Sequence, residues 1–170
     1  MKTAEPPTQF QWESHLKNLL PLFGHRNWIV VADSAYPAQS KAGIETILAD
    51  ANHLDVVSKV LAAIAAARHV RANIYVDSEL ALIDEKHAHG IAECRKQLEA
   101  LLSGSRVSKL PHEEIIDKLD QCAQVFRILI IKTNLTLPYT SVFFELDCGY
   151  WNAEAEQMLR QAIKSANKDQ

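Results

Sequence analysis

The chain is short of glycine and cysteine and has no large excess of either charge. Five glycines in 170 residues leave little material for a glycine-rich phosphate cradle. No G-x-G-x-x-G, P-loop, G-x-S-x-G or H-E-x-x-H pattern occurs, which removes the motif basis for dinucleotide, nucleoside triphosphate, serine-hydrolase and zinc-protease chemistry. The three cysteines, Cys94, Cys122 and Cys148, stand far apart with no C-x-x-C. That argues against a disulfide framework or a zinc clip, and for buried free thiols in a reducing compartment. Net charge is -3 with histidine neutral, and no basic stripe is present, so nucleic acid is not an expected partner. The longest apolar runs are far short of a membrane span, and the opening MKTAEPPTQF carries no apolar signal core. The expectation is a soluble, cytoplasmic protein without a membrane partner.

What is present is ordinary for a folded domain: 48% hydrophobic and 23% charged residues. The length suits one domain with a sizeable core. Residues 1–8, with two prolines, are expected to be a loose or docked tail. QFQWESHLKNLLPLF spaces Trp12, Leu16, Leu19 and Leu20 as a helix, closed by Pro21 and Gly24. WIVVAD is expected as a buried strand, and SAYPAQSKAG as a loop. IETILAD fits a strand or a short helix. HLDVVSKVLAAIAAARHV places Val56, Val60, Ile64 and Ala67 on one helical stripe. A short strand is expected over residues 74–76, ending at Asp77. IAECRKQLEALLSG is expected as a helix with Gly104 at its end. A short extended piece then leads to a helix opening at Pro111-His112, with Glu113 and Glu114 in its first turn. RILIIKT and TSVFFELDC are expected as strands, and NAEAEQMLRQAIKSA as an amphipathic helix. Strands alternating with helices give an α/β class: one domain over 1–170, with a core over 9–150 and a helical extension over 151–170.

Several polar residues sit where chemistry could be done. His25 and Asp33 bracket the WIVVA strand, eight residues apart. At about 3.3 Å per residue they meet only if the chain turns back before the strand; otherwise they are a surface histidine and a strand-end acid. His112 opens a helix, where the positive end of the dipole favours a neutral imidazole able to exchange a proton near pH 7; position alone favours an exposed residue without a role. His87-Ala-His89 invites a metal, but on a helix residues two apart face opposite ways, and no third ligand is evident. No metal is expected. His69, at a helix end, fits a structural use. In LPYTSVFFELD, Tyr139 and Ser141 share a strand face. An aromatic ring and two hydroxyls suit a sugar; a plain strand start also explains them.

The order of these pieces adds a further argument. Gly24-His25, then IVVADSAYP, then a histidine opening a late helix, then Pro138-Tyr139-x-Ser141, resembles the D-ribose pyranase and L-fucose mutarotase family over residues 15–150 or so. The resemblance implies a compact α/β domain that assembles into rings, pentamers or decamers. It implies a site between neighbouring subunits, a free ribose-like or fucose-like monosaccharide as partner, and no cofactor. It places the family's catalytic histidine on His25 and its sugar-binding residues on Asp33, His112, Tyr139 and Ser141. Two departures stand out. The family motif reads Tyr-x-Asn where this chain has Ser141, and the basic residue expected four before the later histidine is Ser108 here, with Lys109 one position off. The implied activity is interconversion of anomers or ring forms of a free sugar by acid–base catalysis. Its alternative on the same fold is a non-catalytic sugar-binding or sensing protein.

Overall fold

The computed structural model describes residues 11–167. The expected tail over 1–8 lies outside them. The chain runs α1 (Gln11–Leu19), a single 3-10 turn (Leu20–Leu22), β1 (Trp28–Ala32), β2 (Ile44–Leu48) and α2 (His53–Ala66). There follow β3 (Val70–Asp77), a second 3-10 turn (Ser78–Leu82), α3 (Ile91–Leu102), β4 (Val107–Leu110), α4 (His112–Cys122), β5 (Ile128–Lys132), β6 (Val142–Cys148) and α5 (Ala153–Ala166). The α/β class is therefore observed, and IETILAD resolves to a strand.

The six strands form one sheet in the order β2-β5-β1-β6-β3-β4. All pairings are parallel except those of β6, which runs antiparallel to both β1 and β3. β1 lies between two neighbours and is covered on both faces, which is why Trp-Ile-Val-Val-Ala carries no polar residue and every position is buried. Alternate side chains serve two cores. Ile29, Val31, Leu129, Ile131 and Phe144 face α1, α2 and α3, while Trp28, Val30, Ile130 and Phe143 face Ile115 and Leu119 of α4.

One strand boundary is corrected. β3 begins at Val70 rather than Ile74, because Val70–Asn73 pair with Cys148–Glu145; its polar start, Arg71-Ala72-Asn73, hid the pairing. α3 runs to Leu102 with Ser103 as its cap and Gly104 directly after, as expected; a left-handed glycine, Gly90 with φ 89°, stands at its start. The cysteines are free, but only Cys94 is fully buried; Cys122 and Cys148 are half-buried. His69 binds the carbonyls of Leu20 and Phe23 through Nε2, at 3.2 and 3.0 Å, and so ties the α1 turn to β3. No helix among the described residues is long and apolar enough to cross a membrane.

α5 forms where the extension was expected, capped by Asn152, whose side chain accepts the Ala155 N–H. None of its residues is buried. Ile130→Ala should therefore cost about 2–5 kcal/mol, the range for emptying a core site. Deleting residues 151–170 should leave the urea midpoint unchanged. Urea unfolding of both variants beside the full chain checks this.

Candidate functional site

The topology brings six chain segments to one edge of the sheet. β1, β2, β3, β4 and β5 end there, and β6, because it is antiparallel, starts there. Open α/β sheets hold their ligands at such an edge, outside the carboxyl ends of the strands. Asp33, Asp77, His112 and Tyr139 line a cleft of about 480 Å³ at this edge, with Pro37 and Leu137 among the apolar walls.

Each polar group there has a local reason for its position. Asp33 follows the last residue of β1; its Oδ1 accepts the Ala35 N–H at 2.9 Å, closing a turn. The Ser141 hydroxyl, buried just before β6, lies 3.4 Å from Asp33 Oδ2; neither it nor Tyr139 is part of the strand, so the expected shared strand face does not form. Parallel pairing of Asp77 with Leu110 sets His112 beside Asp77, and His112 Nδ1 donates to Asp77 Oδ1 at 3.0 Å. The His112 backbone N–H, free at a helix start, donates to both oxygens of Glu79, at 3.0 and 3.1 Å. Partial burial works against ionisation of Glu79, but that N–H, Ser78 and the His112 ring outweigh it, and the carboxyl sits below its ordinary range. Tyr139 is a non-glycine residue at φ 56°, a left-handed backbone that costs on the order of 1–3 kcal/mol. Its ring meets His112 edge-on, with centroids 5.6 Å apart.

The Asp77 side chain is fully buried and its Oδ2 has no partner among the described residues. Burial raises its pKa; the His112 bond and charge oppose this, and Glu79 and Asp33 add to it. The carboxyl holds one imidazole nitrogen and leaves Nε2 to exchange a proton with whatever enters the cleft. A ring nitrogen, a carboxylate and an aromatic edge around a small cleft suit a molecule rich in hydroxyls.

His25 is elsewhere. It precedes β1, at the opposite edge, so the five residues of β1 separate it from Asp33 by roughly 17 Å. The turn at Gly24–Asn27 does not bring the two together. His25 Nδ1 lies 2.9 Å from Asp147 Oδ1, and Arg26 Nε donates to His25 Nε2 at 3.3 Å. Arginine only donates, so Nε2 is the acceptor and Nδ1 carries the hydrogen. Arg71 grips the other oxygen of Asp147 at 2.7 Å. Burial resists ionisation of Asp147, but Arg71, the Cys148 N–H and His25 hold its carboxyl below the usual range. Lys109 points away from the cleft, lying 3.5 Å from Glu99 on the α3 side. His89 lies 3.3 Å from Glu85, and no metal-binding cluster occurs among the described residues.

Sequence reasoning stopped at Asp77 as a strand end and passed over Glu79 and His53. A signal for Asp77 was available: IYVD repeats the pattern of IVVAD, an apolar strand closed by an acid. His53 is 2% exposed. Its Nδ1 lies 2.9 Å from Thr133 Oγ1, and its Nε2 lies 2.8 Å from the Thr140 carbonyl. Burial lowers its pKa to about 4, against the Thr140 bond and the charge of Asp33, so the ring is neutral at pH 7.

Fold and cleft together define a class: an open α/β sheet whose polar cleft, built on an inserted antiparallel strand, is sized for a small molecule. The chain belongs to the RbsD / FucU transport protein family, whose model matches residues 12–148. Among solved structures it is similar to Bacillus subtilis RbsD complexed with D-ribose, at 22% identity and TM-score 0.55, over 86% of this chain and 98% of that one. It is also similar to the fucose mutarotase of Streptococcus pneumoniae in complex with L-fucose, at 17% identity and TM-score 0.52, over 85% and 98%. FucU from Bifidobacterium longum matches at 13% identity and TM-score 0.55, over 79% and 94%. No curated protein matches.

The buried carboxyl yields a prediction about pH. Asp77 binds its proton more tightly folded than unfolded, so its contribution to stability is present at low pH and lost as pH rises through the raised pKa. Asp77→Asn escapes that loss. The variant should be at least as stable as wild type at pH 7.5, with wild type gaining on it as the pH falls toward 4. Urea midpoints across that range test this, and a variant weaker than wild type at pH 7.5 refutes it.

Proposed function

We propose that this protein is a cofactor-independent mutarotase or pyranase, interconverting anomers or ring forms of a free monosaccharide. The observation that carries the reading is the cleft itself. In a chain of this family, Asp33, Tyr139 and a histidine backed by a buried carboxylate line one small pocket. The similar folds that hold D-ribose and L-fucose support the substrate class.

The reaction requires only proton transfer. A base takes the proton of the anomeric hydroxyl, an acid protonates the ring oxygen, and the bond between the anomeric carbon and the ring oxygen breaks. The open-chain aldehyde rotates and the ring recloses. Return through the same hydroxyl gives the other anomer; closure through a different one exchanges pyranose for furanose. Asp33 accepts hydrogen bonds from sugar hydroxyls, Tyr139 lies against the ring, Ser141 orients it, and His112 relays a proton. His25 supplies the other proton shuttle from a neighbouring subunit. The two sheet edges of one chain are too far apart to form one site, but a ring of subunits sets the His25 edge of one against the Asp33 edge of the next. The ring size we expect is five or ten. A second reading, sugar binding without turnover, draws on the loose Ser141–Asp33 contact.

Saturation-transfer NMR on a panel of equilibrating aldoses tests the reading. Wild type should accelerate exchange of a ribose-like or fucose-like sugar, and His25→Ala should slow it by about 10²–10⁴-fold with the fold intact. Ser141→Asn should raise exchange on ribose or fucose. Light scattering should give a multiple of the 19.1 kDa chain. Co-assembling His25→Ala with His112→Ala subunits is the sharper assay: a shared site restores activity at about a quarter of the interfaces, whereas a site within one subunit restores none. Binding without accelerated exchange favours the second reading.

A further inference from the structure

We infer that His53, at the start of α2 and behind the cleft wall, is a positioning residue that fixes the Tyr139–Ser141 turn relative to the Asp33 strand end. The inference rests on the reading above for its consequence in sugar affinity, though its geometry stands independently.

His53 is the first residue of α2, directly after the cap Asn52, whose side chain accepts the Leu54 and Asp55 N–H groups. That cap orients the first turn and sends the imidazole inward, where it is 2% exposed. The ring touches two separate segments. Nε2 lies 2.8 Å from the carbonyl of Thr140, the residue between Tyr139 and Ser141. Nδ1 lies 2.9 Å from Thr133 Oγ1, just past the end of β5. Thr133 in turn reaches the last residue of β1: its N–H is 2.8 Å and its hydroxyl 3.0 Å from the Ala32 carbonyl. Ala32 precedes Asp33. One imidazole thus links the segments that carry Asp33, Tyr139 and Ser141.

The proton positions follow from the partners. A carbonyl only accepts, so Nε2 must carry the hydrogen. The ring is neutral, so Nδ1 accepts, and the Thr133 hydroxyl is the donor within reach. The Ala32 carbonyl already receives the Thr133 N–H and needs no second donor. The tautomer is therefore set by two contacts, and neither ring nitrogen is free for the substrate. The clamp holds a segment that would otherwise relax, since Tyr139 sits at φ 56°. Left-handed backbone at a non-glycine residue persists where its surroundings over-determine it. The Thr140 hydroxyl adds a second tie, donating to the Leu137 carbonyl at 2.9 Å.

The test uses the full chain. Long-range ¹H–¹⁵N NMR of wild type at pH 7 should show His53 as the Nε2–H tautomer; the Nδ1–H tautomer overturns the clamp. His53→Phe keeps the ring and removes both bonds. With no sugar present, the amide resonances of Tyr139, Thr140 and Ser141 should shift, while those of α3 stay in place. His53→Gln, which can still donate to the Thr140 carbonyl, should restore most of the wild-type pattern. Thr133→Val cuts the second arm without touching the helix start, and serves as the independent variant if His53→Phe does not fold. Its Ala32 and Asp33 amides should shift. A bound aldose, titrated by NMR, should lose about tenfold in affinity in His53→Phe and recover in His53→Gln. A folded His53→Phe or Thr133→Val with unmoved resonances overturns the inference whether or not sugar binds. A wild type that binds no aldose of the panel overturns the functional reading, and with it the affinity claim, but leaves the amide shifts to decide the clamp.

Discussion

The reversed direction of β6 is the constraint on which the site depends. Inserted between β1 and β3, it turns an otherwise parallel sheet into one where a strand begins at the edge where its neighbours end. Tyr139 and Ser141 come to that edge only for this reason. Asp33 and Asp77, which close the strands on either side of β6, are thereby held across its width. A parallel β6 would carry the tyrosine turn to the far edge, beside His25, and the cleft would lose its aromatic wall.

Burial gives these groups their chemical character. Asp77 costs stability as a carboxylate because one oxygen lacks a partner, yet the other orients the ring of His112. His53 is buried and neutral, and contributes by geometry alone. Two histidines on one edge thus divide the work. His112 spends one ring nitrogen on Asp77, and His53 spends both on the Thr133 and Thr140 segments.

Much of the fold was legible because apolar period and punctuation decide element type over short windows. WIVVAD, RILIIKT and TSVFFELDC each contain a strand as expected, over Trp28–Ala32, Ile128–Lys132 and Val142–Cys148. What escaped was set by pairing across the chain. β3 extends back through Arg71 and Asn73 because β6 supplies partners, a fact no local window contains. The candidate residues were legible as types, and partly as a group, since Asp33, His112 and Tyr139 do converge on one cleft. His25 could be recognised as a residue, but strand direction decides which edge it occupies. Asp77 and His53 were hidden because their importance lies in what they touch, and those partners stand far away in sequence.

The same arrangement has a consequence for how the chain comes off the ribosome. β1 is the most apolar strand and the earliest, yet both its neighbours are late: Trp28 pairs with Ile128 on one side and Glu145 on the other. Its backbone groups go unmet until nearly the whole chain has been made. Topologies closed by such distant partners assemble slowly and expose sticky segments meanwhile. During synthesis, α1 and α2 are the early material able to shelter Trp28–Ala32, and the nascent chain is a natural client for chaperones until β5 and β6 emerge.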